Sequence, residues 1–172
     1  MYKMIGDDIN HRYVLSSEGA KPLVVIGVNP STANESKLDA TMRRVRGFAE
    51  HNDYDGFVMI NLYPQRATNF GAVPQQRNEE LHQKNLEAIR AFFKESEELD
   101  ILAAWGNHAG ERTYLKDCFR DIVSVLQEGG RKVAWKQIGA LTKKKHPRHP
   151  LYARQDSSLE VFDVARYLEK RK

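Results

Sequence analysis

One cysteine, Cys118, stands in a chain of 172 residues. That count excludes an intrachain disulfide, a four-cysteine zinc site and a cysteine-ligated iron–sulfur cluster. Long hydrophobic runs are also lacking. The longest, Leu23 to Val28 and Phe57 to Ile60, fall far short of the ~20 apolar residues that span a bilayer. The opening stretch MYKMIGDDINHRY has no apolar signal core, so the expectation is a soluble, cytoplasmic protein with no membrane partner. Glycine and proline are sparse, at 11 and 6 residues, and no linker, internal repeat or low-complexity tract is present. Residues 1–172 therefore read as a single α/β domain, with 1–21 as an N-terminal edge segment and 157–172 as a terminal helix.

The charge excess is small as well: 27 Lys+Arg against 23 Asp+Glu give a net +4 and a pI near 9.1. This permits a nucleic-acid partner without requiring one. Its distribution says more, because Lys143, Lys144, Lys145, His146, Arg148 and His149 crowd one short segment while glutamates lie along 79–98.

Four segments read as strands: 22–28 and 56–62, apolar and buried, then 99–105 and 132–138. Helical spacing intervenes. Asp39 can cap a helix carrying Leu38, Met42, Val45 and Ala49 and ending near Asn52. Asn78 can cap a second with Leu81, Leu86, Ile89 and Phe93 on its stripe. Leu115, Cys118, Ile122 and Val125 mark a third helix, ended by Gly129-Gly130. Ser157 or Ser158 would open the terminal helix, and Arg12 to Ser16 adds a possible edge strand. Apolar strands alternating with amphipathic helices imply right-handed crossovers, hence a three-layer α/β/α sandwich around a mostly parallel four-stranded sheet.

In such sheets ligands bind beyond the carboxyl ends of the strands. The segment after the first strand offers Asn29, Pro30, Ser31 and Thr32, whose amides and hydroxyls can cradle an anion or orient a water, or simply satisfy a turn. After the second, Asn61 can read a planar amide edge by paired hydrogen bonds and Arg66 can clamp a phosphate or carboxylate; a loop cap and a solvated side chain are the plain alternatives. After the third, Gly106 lets backbone approach a ligand, and Asn107 and His108 precede a helix whose amino terminus favours negative charge. Trp105 reads as core. After the fourth, two His-Pro pairs interrupt a basic run. His146 or His149 can supply a proton or hydrogen bond to a leaving group, and Lys143, Lys144, Lys145 and Arg148 can contact phosphates or merely be solvated. Arg43 lies four residues after Asp39, which fits a surface ion pair as readily as a phosphate contact.

The order of these segments closely resembles an uncharacterised bacterial and phage family, catalogued as domain of unknown function 1643. The carrying residues are Asn29-Pro-Ser-Thr-Ala33, Asp39 with Thr41 and Arg43, Asn61-Leu62, Arg66-Ala-Thr68, Ala104-Trp-Gly106 and Arg148-His-Pro-Leu-Tyr152. A more distant resemblance is to the uracil-DNA glycosylases, through Gly27-Val-Asn-Pro30, Val58-Met-Ile-Asn61, Ala104-Trp-Gly106 and His149-Pro-Leu151 in the same order. It implies a glycosylase-like fold and possible hydrolysis of an N-glycosidic bond in DNA or a nucleotide, without metal or cofactor. It further implies that Asn29 positions a water, Asn61 binds the base, and His149, or its rival His146, stabilises the departing base. Ser31, Thr32, Arg43, Arg66, Gly106 and Asn107 complete the expected substrate contacts. The alternatives are a non-catalytic nucleic-acid or nucleotide-binding module and an enzyme acting on a small anionic metabolite held by Arg43 and Arg66.

Overall fold

The computed structural model describes residues 1–170. Its frame is four parallel strands, β3 (Pro22–Gly27), β4 (Gly56–Asn61), β5 (Glu98–Ala103) and β6 (Lys132–Ile138), which are the four expected from the apolar runs. The sheet has seven strands rather than four. The spatial order is β1-β2-β4-β3-β5-β6-β7, where β1 (Tyr2–Gly6), β2 (Arg12–Ser17) and β7 (Leu159–Val161) pair antiparallel at the two sides. The segment at Arg12 is consequently not an edge strand, because β1 lies outside it. Among the described residues no helix is long and apolar enough to cross a membrane.

Period-two alternation sends successive side chains of β3 and β4 to opposite faces. Leu23, Val25, Phe57 and Met59 meet Met42, Val45 and Phe48 of helix α1 (Ala40–His51) on one face. Val24, Ile26, Val58 and Ile60 meet α2 (Glu79–Phe92) and α3 (Tyr114–Leu126) on the other. Asp39 caps α1 by accepting from the Met42 amide at 2.9 Å, and Asn78 caps α2 by accepting from Leu81 at 3.0 Å. Each side-chain oxygen satisfies an amide the helix cannot.

The terminal segment departs from expectation. Leu159–Val161 extends as β7 along β6, and helix α4 spans only Val164–Glu169, capped by Asp163. Backbone pairing with the otherwise open edge of β6 outweighs the helical spacing of Leu159 and Phe162. Positions 171 and 172 lie outside the described residues.

From β3 the chain passes through α1 to β4. It then recrosses behind β3 through α2 to reach β5 on the other side. With right-handed crossovers the reversal of direction puts α1 and α2 on opposite faces. The connections leaving β3 and β5 diverge, and a crevice opens between them.

Candidate functional site

A cleft of about 620 Å³ occupies that crevice. The chain leaving β3 supplies Val28 to Thr32, the chain leaving β5 supplies Trp105 to His108, and α1 presents its first turn. Thr68 and the Arg148-His149 segment close the remaining sides. Asn29, Ser31, Thr32, Gly106, Asn107, Arg148 and His149 are thus brought together as the sequence suggested.

The Asn29 carboxamide is oriented by its donors. Nδ2 donates to the carbonyls of Pro30 at 3.1 Å and Ala67 at 3.0 Å, with Gln65 at 3.5 Å. Carbonyls around the nitrogen fix the amide's orientation. Oδ1, which bonds nothing among the described residues, remains as an acceptor. In the same cleft lining the Ser31 and Thr68 hydroxyls lie 3.3 Å apart.

The question of which histidine faces the cleft resolves to His149. Gly106 donates its amide to the Pro147 carbonyl at 3.0 Å, docking the His-Pro loop. His149 Nδ1 then accepts from the Leu151 amide at 3.2 Å. A nitrogen that accepts carries no hydrogen, so the ring proton sits on Nε2. Burial pushes the pKa down to about 4, with the nearby charge of His108 acting the same way and Asp39 opposing it. The ring is a neutral donor at ordinary pH.

His146 is corrected out of the cleft. It is buried, its Nδ1 lies 2.8 Å from the Tyr167 hydroxyl, and that hydroxyl accepts from Trp105 Nε1 at 3.0 Å. Trp105, fully buried, is core as expected. It forms a wall between the cleft and a second cavity of about 300 Å³ on the His146 side.

The arginine assignments change too. Arg66 donates to the carbonyls of Asp7 at 2.8 Å, Ser31 at 2.6 Å and Ala33 at 3.0 Å, so its guanidinium braces loops and lies outside the cleft lining. Arg43 is exposed and folds back on the Leu38 carbonyl at 2.8 Å, outside the cleft. Lys143, Lys144 and Lys145 are exposed and also lie off the cleft wall, while Arg148 reaches it with Nε on the Ala140 carbonyl at 2.9 Å.

Asn61 occupies a different position from the expected one. It is 1% exposed, one layer below the cleft surface, and neither its Nδ2 nor its Oδ1 has a hydrogen-bond partner among the described residues. It packs against Gly27: a Cβ there would lie 2.9 Å from Asn61 Oδ1 and 2.6 Å from Met59 Cε. Gly27 and Met59 both line the cleft.

Arg12 was missed as a site residue. It lines the cleft at 2% exposure, donates Nη1 to the Ala33 carbonyl at 3.1 Å, and leaves Nε unpaired. The available signal was a cation opening an apolar strand segment, Arg12-Tyr-Val-Leu. A second omission is the flat wall made by Phe70 and His108, whose rings stack at 4.5 Å and 15°. His108 is held there by Glu111, 2.7 Å from its Nδ1. Among the described residues no group of three or more His, Cys, Asp or Glu side chains is placed to hold a metal ion.

Comparison with known proteins gives one family. The model of the family described as a protein of unknown function, DUF1643, matches residues 12–151, and the chain belongs to that family. No curated protein and no solved structure matches it.

Proposed function

We propose that this member of the DUF1643 family binds a nucleobase-bearing ligand in the cleft and hydrolyses its N-glycosidic bond. The reading is carried by Asn61. A buried carboxamide with donor and acceptor both unpaired costs roughly 1–3 kcal/mol per group, and a planar base edge supplies the complementary pair. Gly27, lacking a side chain, lets that amide come close under the cleft floor. Met59, which meets the same open position at Gly27 and lines the cleft, is unbranched and adaptable.

Two further groups support the chemistry. Asn29 Oδ1 is a fixed acceptor that orients a water without deprotonating it, a role suited to attack on a sugar whose bond to the base is already largely broken. The carbon–nitrogen bond breaks with its electron pair leaving on the base, where the His149 Nε2 hydrogen stabilises the new charge. The water oxygen bonds the anomeric carbon and its proton passes to solvent or the released base. In duplex DNA the nucleotide must first leave the stack, and the flat Phe70–His108 wall offers it an aromatic surface.

The test is incubation with labelled single- and double-stranded oligonucleotides containing uracil, hypoxanthine or mismatched thymine, followed by alkaline cleavage. Scission lost in Asn29→Ala is the expected result and names the base. Salt-dependent binding without scission would replace hydrolysis by a nucleic-acid-binding role. Neither would leave the enzyme of a small anionic metabolite.

A further inference from the structure

Arg12 is a cation where the fold can least accommodate one. Its guanidinium is almost wholly buried, yet among the described residues only Nη1 has a protein acceptor, and Nε is sealed from solvent with no partner there. Asp39, the carboxylate whose charge acts on it, also lines the cleft; its Oδ1 accepts from the Met42 amide at 2.9 Å and its Oδ2 from the Ala33 amide at 3.3 Å. A second cation, Arg66, donates to the same Ala33 carbonyl at 3.0 Å. Burial and the neighbouring charge of Arg66 push the pKa of Arg12 down to about 10, with Asp39 opposing them. Even so the group stays charged at neutral pH, so the fold holds an incompletely compensated positive charge at the cleft wall.

The same wall carries the amino-terminal turn of α1. Ala40 and Thr41 line the cleft directly after the Asp39 cap, at the end of a helix of 12 residues. The first amides of a helix have no intrahelical acceptor, and the helix dipole favours negative charge there. One buried guanidinium with an unpaired Nε and the first turn of α1, whose Asp39 cap takes the Met42 amide, therefore border a single space. Arg148 adds a further positive charge to its rim.

We propose that Arg12 and the first turn of α1 form an oxyanion subsite of the cleft, taking the phosphate group of the ligand. The proposal rests on the preceding reading only in taking this cleft as the ligand site. The arrangement supplies both things a phosphate needs: a guanidinium edge that donates in the plane of two oxygens, and backbone amides pointing at a third. With Asn61 one layer beneath the floor at Gly27 and Arg12 at the wall, the cleft distinguishes a nucleotide from a free base or nucleoside. The phosphate can belong to a mononucleotide or to a phosphodiester chain.

The experiment is the thermal stability of the purified protein titrated with inorganic phosphate, then with thymidine, thymidine 5′-monophosphate and a dithymidine lacking terminal phosphates. Phosphate is expected to raise the melting temperature, and thymidine 5′-monophosphate or the dinucleotide to bind at least tenfold more tightly than thymidine. A preference between those two identifies the source of the phosphate. Arg12→Gln should abolish the phosphate effect. Because that change also removes the bond to Ala33, Ala40→Pro is the second variant. Proline is tolerated at the first helical position and deletes one donor amide without disturbing the helix, and several-fold weaker phosphate binding is expected. No phosphate effect on the unaltered protein, or an equal effect in both variants, overturns the subsite. Asn61→Ala separates the two readings, since it should retain the phosphate effect while losing discrimination of the base. Base excision without phosphate binding removes the subsite alone. Phosphate binding through Arg12 without excision of any base removes the glycosidase reading alone.

Discussion

A Cβ placed on Gly106 would lie 3.0 Å from the Cβ of His149. Gly106 also has φ +69° and ψ −165°, a backbone region open essentially to glycine alone. Residue 106 thereby sets how closely the His-Pro loop docks on the end of β5, and so where the imidazole stands. Gly106→Ala should cost about 1–3 kcal/mol of stability from backbone strain. It should reduce turnover more than ligand affinity, because a misplacement of about 1 Å at a reacting group costs on the order of a hundredfold in rate. Denaturant unfolding together with single-turnover kinetics checks both halves.

His149 also predicts a pH dependence whose sign is fixed by its depressed pKa. An unfolded histidine binds a proton near pH 6.5, whereas burial holds the folded one down to about 4, assisted by His108 and opposed by Asp39. The unfolded chain thus binds more protons between these values, and folding stability falls as pH is lowered from about 6.5 toward 4. Above that window the contribution is complete. Unfolding measured from pH 8 to 4 should show the slope, and His149→Gln should flatten it. A ring carbon NMR titration of His149 with a midpoint near 6.5 would contradict the burial argument.

Tyr167 and His146 yield a contrasting expectation. The Tyr167 hydroxyl accepts from Trp105 and contacts His146 behind the cleft wall. Tyr167→Phe leaves buried polar groups without that partner, at a cost of roughly 1–3 kcal/mol. Its effect belongs to folding: the melting temperature should fall while the KM of the folded protein stays near the original. A large change in the rate-limiting chemical step at unchanged stability would instead return His146 to the reaction.

The difference between His149 and His146 marks where sequence reading stopped. β3, β4 and β5 were legible as largely apolar runs of strand length, β6 carries two Lys and a Gln among its apolar residues, and the parallel-sheet rule then picked the loops that line the cleft. β7 was not legible. Leu159, Phe162, Ala165 and Leu168 recur at a helical spacing, and only the free edge of β6 makes Leu159–Val161 a strand. At the site, Asn29 was found because it follows the end of β3, whereas His149 lies in the long loop after β6, where chain position offered His146 equally. Side-chain direction decided the rest. Arg66 and Arg12 are both cations near strand termini in sequence, yet one spends its donors on three carbonyls and the other keeps an unpaired edge at the cleft. That distinction depends on which carbonyls the fold brings within 3 Å, a tertiary property with no period or motif.

Asn61 offers the sharpest separation of function from stability. A buried polar residue retained for packing would be costly to replace, whereas one retained for a ligand is a burden on the empty protein. Both amide atoms of Asn61 are unpaired among the described residues, and the side chain is surrounded by Gly27, Met59 and the sheet. Asn61→Leu preserves the approximate shape and removes the unsatisfied groups. The folded state should be unchanged or more stable, by up to about 2 kcal/mol. Base discrimination and turnover should be lost together. Urea unfolding of the two proteins, read beside the oligonucleotide cleavage assay, decides it. A destabilised variant that still processes its ligand would make Asn61 structural and leave base recognition without its principal group.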